Sequence, residues 1–205
     1  MKNGIEKTGG AATKHRAILS NIMVVALFPL AVASLNACIM VRSNDSENRR
    51  AAPIQTALEA KSISIEVLST SPSDEKQHRI MQKAYEESGL FSKVTAGSHP
   101  TDLKAEVLLS GLEARTNGFM RLLNGMTLTL IPDRIEYTPT VTAVFKDRQG
   151  NTISTFKKSE DISIWVELFL VFAMPFVDGP NTVAESVFYD LHRAIINEAH
   201  AKGTL

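Results

Sequence analysis

The sequence predicts an α/β (α+β) domain, a two-layer sandwich in which a mixed or antiparallel sheet carries helices on one face. Three observations predict it. Ile63, Ile65 and Val67 alternate with Ser62, Ser64 and Glu66, the period of a strand with one buried face. A capped segment with helical spacing follows directly, and the chain closes on a second, longer apolar-faced helix. Strands and helices that each bury one side need two packed layers.

Taken in order, the first strand starts near Lys61. The helix after it is marked by Ser71 as cap, Pro72 at the first helical position, and Asp74 and Glu75 placed against the helix dipole. Ile80, Met81 and Ala84 form its apolar face, and Gly89 is placed to end it. Short and longer strands are expected at Phe91 to Val94 and Leu103 to Leu112. Residues 135 to 147 read as one strand, with Tyr137, Val141, Ala143 and Phe145 on one side and Thr138, Thr140 and Thr142 on the other. Pro139 within it suits an edge or a bulge. Asp147-Arg-Gln-Gly-Asn151 is a turn into a partner strand from Thr152, giving a hairpin. The last helix is expected from Thr182 to Ala201, capped by Asn181, with Ala184, Val187, Phe188, Leu191 and Ile195 on one side.

At 205 residues the chain accommodates one ordinary domain once a targeting segment is set aside. Basic and acidic residues number 22 each, but Lys2, Lys7, Lys14 and Arg16 stand against Glu6 alone in the first 37. The remainder is slightly acidic, which argues against nucleic acid as a partner, because phosphate binding needs a concentrated basic face.

Residues 17 to 35 are an apolar run behind that basic leader, the order of a secretory signal. The run ends in Leu35-Asn36-Ala37-Cys38. This resembles the lipobox of bacterial lipoproteins, matched at Leu35, Ala37 and Cys38 and departing from the common pattern at Asn36. The competing account is an uncleaved membrane helix with a chance thiol behind it. Pro29 and the small residues before Cys38 favour cleavage. The resemblance implies a cut before Cys38, a diacylglyceryl group on its sulfur and an acyl group, commonly palmitate, on its new amino end. Several chains give stable attachment where one is marginal. Ile39 stands where an aspartate would retain such proteins on the inner membrane, so in a diderm host the resemblance implies the outer one. Cys38 is the only cysteine, so no disulfide forms within the chain.

The expected organisation is therefore a signal peptide at 1–37, a lipidated cysteine and flexible tether at 38–60, and a single α/β domain at 61–205. Arg42 to Arg50 shows no apolar periodicity, which suits the tether. The strand-helix-strand unit that includes Ser88-Gly89-Leu90-Phe91-Ser92-Lys93-Val94 is similar to the small α/β domains of periplasmic and outer-membrane lipoproteins, such as the amino-terminal domain of the TolB type. That likeness covers about fifty residues and implies fold class only.

Two segments are greasier than a surface needs. Ile162 to Phe176 carries Trp165, Phe169 and Phe172, with Ile162, Ile164, Val166 and Leu168 allowing a strand before a buried turn or short helix. It is too short to span a bilayer as a helix and contains Glu167. Phe119, Leu122, Leu123 and Met126 recur at helical spacing before the strand-like Thr127 to Ile131. The ordinary account places both in the core. The sharper account makes Phe119, Leu122, Met126, Trp165, Phe169 and Phe172 a contact surface for membrane or a protein partner.

No catalytic, cofactor or metal signature is present. His78, His99, His192 and His200 show no paired-ligand spacing and read as helix-surface residues. Asp190, His192 and Glu198 read as solvated positions, because residues two apart on a helix point in different directions. Glu86 with Glu87, and Asp147 with Glu160, give no acid-base spacing. No cofactor is expected. The function expected is a membrane-anchored, non-enzymatic envelope lipoprotein, an adaptor or assembly component. Its partners would be membrane lipid, through the acylated cysteine, and an envelope protein of unknown identity. The alternatives are an oligomeric lipoprotein that inserts hairpins into the membrane, loosely like lipoprotein secretion pores, and a hydrolase with an unmarked site.

Overall fold

A computed structural model of the chain describes residues 38–42, 61–68 and 74–205. The expected signal peptide, the lipobox-like Leu35 and Ala37, the stretch 43–60 and the expected cap Ser71 lie outside the described residues. The α/β class is as expected, but the strands divide between two sheets.

The larger sheet is mixed and five-stranded, in the order β3(Phe91–Ala96), β2(Lys61–Val67), β4(Leu103–Ser110), β7(Thr140–Asp147), β8(Thr152–Ser159). β2 and β3 are parallel and joined by helix α1(Asp74–Glu86), the crossover that parallel neighbours require. The connection 97–102 carries the chain to the other side of β2. It is fixed there by Gly97 N donating to Ile65 O and by Asp102 accepting from the Ser62 amide and hydroxyl. The Asp147–Asn151 turn makes the β7–β8 hairpin, with the Asp147 carboxylate accepting from the Asn151 amide at 2.8 Å.

Helices α1 and α3(Pro180–Ala201) lie together on one face of this sheet. Beneath them Ile63, Ile65, Ala105, Val107, Val141, Ala143 and Phe145 meet Met81, Tyr85, Val187, Leu191, Ile195 and Ile196, all fully buried. Gly89 ends α1's turn at φ 72, a left-handed conformation that costs glycine little. α3 begins two residues earlier than its pattern implied. Its cap position is Gly179, with Pro180 in the first turn, and no side chain bonds the free amides, so Asn181 is not the cap. The opposite face of the sheet is charged, where Lys104 pairs with Glu66 at 2.7 Å and Lys146 with Glu106 at 2.6 Å.

The smaller sheet is antiparallel, in the order β1(Cys38–Arg42), β9(Ile162–Val166), β6(Asp133–Tyr137), β5(Arg115–Thr116). Two expectations are corrected here. The single strand 135–147 is broken at Thr138-Pro139, and its halves, β6 and β7, belong to different sheets. Proline cannot donate to a ladder, and a buried Pro139 at the break is where the chain leaves one sheet for the other. Among the described residues, regular structure is also present ahead of Lys61: residues 38–42, assigned to the tether, form an edge strand paired to β9 along its length.

Candidate functional site

Strand β1 is locked by its last residue. The guanidinium of Arg42 meets both carboxylate oxygens of Glu160, with Nη2 donating to Oε2 at 2.6 Å and Nε to Oε1. Nη1 donates to Asp190 on α3 at 2.7 Å. Only 7% of the Arg42 side chain and 1% of the Glu160 side chain remain exposed, so these charges are removed from water and paired. Burial by itself disfavours the charged guanidinium, but Glu160 and Asp190 outweigh it and raise the pKa of Arg42. Asp190 is thus an ion-pair partner, not a solvated position, and Glu160 is buried beside it. Residues 118 and 148 positions away supply those partners, so no local pattern announced them.

At the other end of β1 stands Cys38, a free, half-buried thiol. The register pairs Cys38 with Val166 and Val166 with Asp133, so three strands present these residues in one row at the same end of the smaller sheet. The two greasy segments lead into and out of that row. After Val166 come two 3-10 turns, Leu168–Phe172 and Met174–Phe176. Before Asp133 lies helix α2(Gly118–Met126), started by the Asn117 side chain, which accepts from the Phe119 and Met120 amides.

Hydrogen bonds tie the segments together. The buried amide of Asn124 donates to Ile131 O at 2.6 Å and to Val166 O at 3.1 Å, and Leu168 N donates to Thr129 O at 2.9 Å. Thr127–Ile131 is therefore not a strand. Thr127 closes α2, its hydroxyl donating to Leu123 O at 2.8 Å, and Leu128 and Thr129 turn back with φ of 51° and 65°. Left-handed backbone at two consecutive non-glycine residues is costly and is held by these bonds.

The core account holds for Ile162, which is buried in the core, but not for the bulky side chains that follow. Phe119, Leu122, Met126, Phe169 and Phe172 are each at least 60% exposed. Trp165 is partly exposed and stacks against the Arg134 guanidinium, 5.5 Å from its ring centre. Leu128, Leu130, Phe176 and Val177, which the pattern did not single out, are exposed beside them. Arg121 is the only charge from 118 to 132, and there is none from 168 to 177. Among the described residues no helix is long and apolar enough to cross a membrane.

His192 is not on the surface. It is buried against Tyr85, with ring centres 6.2 Å apart, and burial pulls its pKa down to about 4. Glu198, the third residue of that helical set, pairs with Lys158 at 2.9 Å and Lys202 at 2.6 Å. The structure therefore does not bring Asp190, His192 and Glu198 together. Among the described residues no cluster of three or more histidine, cysteine or acidic side chains is placed to hold a metal. An apolar hollow of 170 Å³ lies among Met40, Tyr137, Ile162, Val187 and Phe188, below the roughly 300–1,000 Å³ of ordinary ligand pockets.

No family model matches the chain, and no curated protein matches it. Among solved structures it is similar to a minor lipoprotein from Acinetobacter baumannii, at 18% identity and a TM-score of 0.40, over 73% of this chain and 96% of that one. It is also similar to two PelC dodecamer structures from Paraburkholderia phytofirmans, at 8% and 9% identity and a TM-score of 0.37 each. Those cover 77% of this chain and 95% and 97% of the PelC chains. At such scores the likeness is one of outline.

Proposed function

We propose that this chain is an envelope lipoprotein, cut before Cys38, acylated there, and acting without catalysis as a membrane-held adaptor or assembly component. One observation carries the reading: the sole cysteine follows a lipobox-like Leu35-Asn36-Ala37 and opens an edge strand at one extremity of the smaller sheet. In that place an acylated sulfur can leave the fold without crossing it. The departure of Ile39 from aspartate favours the outer membrane, facing the periplasm, as the residence.

A non-enzymatic role is supported by what the polar residues already do. Arg42, Glu160 and Asp190 bond one another, and Glu198 bonds two lysines, so these side chains are engaged in holding elements together. The partner is a second envelope protein.

Mass spectrometry of the protein extracted from membranes tests the anchor. The expected species begins at Cys38 and carries diacylglyceryl and acyl groups, and Cys38→Ser releases the chain from the membrane fraction. An intact leader, or a bare thiol at Cys38, overturns the reading. Crosslinking in intact cells, followed by recovery of the chain, tests the adaptor role. A discrete envelope partner is expected, and a chain recovered only as a free monomer counts against it.

A further inference from the structure

We infer that the apolar end of the domain rests directly on the bilayer that holds Cys38, so that the protein lies against its membrane with Phe119, Leu122, Met126, Phe169 and Phe172 in the lipid interface. The inference rests on the acylation proposed above and adds an orientation to it.

Three observations select lipid as the occupant of this surface. The first is position. Cys38, Val166 and Asp133 share one row, and the exposed segments enter and leave the fold at that row, so acyl chains on Cys38 and the bulky side chains depart from the same end. A bilayer reached by the lipid is therefore the apolar phase nearest to these side chains.

The second is shape. Phe176 is 87% exposed, and Phe172 and Met126 are two-thirds exposed or more, so these residues stand out from the surface. A folded partner would need a hollow matched to each, whereas a fluid interface accommodates projecting rings and aliphatic chains as they come. Side chains of this kind, set in a surface almost without charge, are those that sink into the headgroup and acyl boundary.

The third is the sole charge of α2. Arg121 lies in α2 among Phe119, Leu122 and Met126, and a long aliphatic stem lets a guanidinium stay with lipid phosphates while its neighbours go deeper. The supporting turns are also fixed and not floppy. Asn124 binds α2 to both Ile131 and Val166, and Leu168 is bonded to Thr129, so the apolar side chains project from a braced base.

Trp165 is the only tryptophan and lies one row from Cys38, which makes it a native reporter. The processed chain, with its acyl groups verified by mass, is placed in vesicles of phosphatidylethanolamine and phosphatidylglycerol whose acyl chains are plain or brominated. The expected result is quenching of Trp165 emission in the brominated vesicles and slowed amide exchange over 118–130 and 168–177. Both are lost in the triple variant F119S/F169S/F172S, which stays attached through its lipid, and both are kept in Ile153→Ser, a change on the far strand β8. An acylated wild-type chain that matches the triple variant in both readouts overturns the inference and leaves the anchor standing.

A bare thiol overturns the anchor alone. The same readouts, taken on the unanchored chain added to those vesicles, then decide the contact in either direction. A photoreactive benzoylphenylalanine in place of Phe169 supplies the chemical identity of the neighbour. Adducts to lipid support the bilayer, and adducts to a second copy or another protein overturn it.

Discussion

Arg42 and Glu160 face each other fork to fork, with two guanidinium nitrogens on two carboxylate oxygens and almost no water reaching either side chain. Asp190 takes a third donor from the same guanidinium. The pair joins the edge strand that starts at Cys38 to the chain just before β9, and Asp190 extends the link to the long helix. Breaking it should therefore loosen β1 from the body.

Arg42→Ala is expected to cost on the order of 3–5 kcal/mol, because it strands a buried carboxylate without its counter-charge. Urea unfolding measures the loss. Adding Glu160→Gln should recover a good part of it, since the uncompensated charge is then gone. Unchanged stability in the single variant would mean that the ion pair is not buried as described.

His192 sets a dependence on pH. Its folded pKa of about 4 lies below the ordinary value of 6.5, so between those limits the unfolded chain binds more protons. The stability linked to His192 is whole above pH 6.5 and is lost as pH falls towards 4, by about 3 kcal/mol in total. Replacing it by Leu should remove that part of the slope, measured as the difference between the two proteins' unfolding free energies at pH 7 and pH 4.5.

Gly111 and Gly150 both have left-handed backbone, yet they should respond differently to a methyl group. A Cβ on Gly111 would land on the carbonyl oxygen of Thr138, whereas one on Gly150 would meet nothing within 4 Å. Gly150→Ala is expected to cost about 1–2 kcal/mol, the backbone term alone. Gly111→Ala should cost clearly more, because a backbone atom must move. Thermal melts of the two variants give the comparison.

Asn124 braces the apolar end through two carbonyls. Asn124→Ala leaves both without that donor, for an expected cost of about 1–3 kcal/mol. The local signature should be faster amide exchange over 127–132, with the β7–β8 hairpin unaffected.

What was legible in the sequence was local. The alternation at Ile63 and Ile65, the Gly89 stop and the Asp147–Asn151 turn each depend on neighbours a few residues away, and each stands as read. The strand after Pro139 was found, but not its change of sheet, because period-two alternation runs through Thr138-Pro139 without registering which ladder each half joins. Thr127 to Ile131 has strand composition, yet Thr127 spends its hydroxyl on α2 and the chain doubles back.

The candidate site divides in the same way. Cys38 and the aromatic positions could be picked out by residue type and spacing. Whether those aromatics lay inside or outside could not, because an apolar stripe at helical spacing looks the same facing a core or facing lipid. Arg42 was invisible for a different reason. A polar run with no periodicity gives no sign that its first charge is met by carboxylates from remote elements.

If Cys38 is acylated as proposed, its place at the head of a paired strand decides how much slack separates lipid from protein. Cys38 is the first residue of the paired strand, and the strand's far end is gripped by Arg42, so nothing in between can pay out like a leash. A molecule mounted in this way gives up reach across its compartment and keeps a fixed heading. On the proposed acylation, anything that works with it has to come to the membrane.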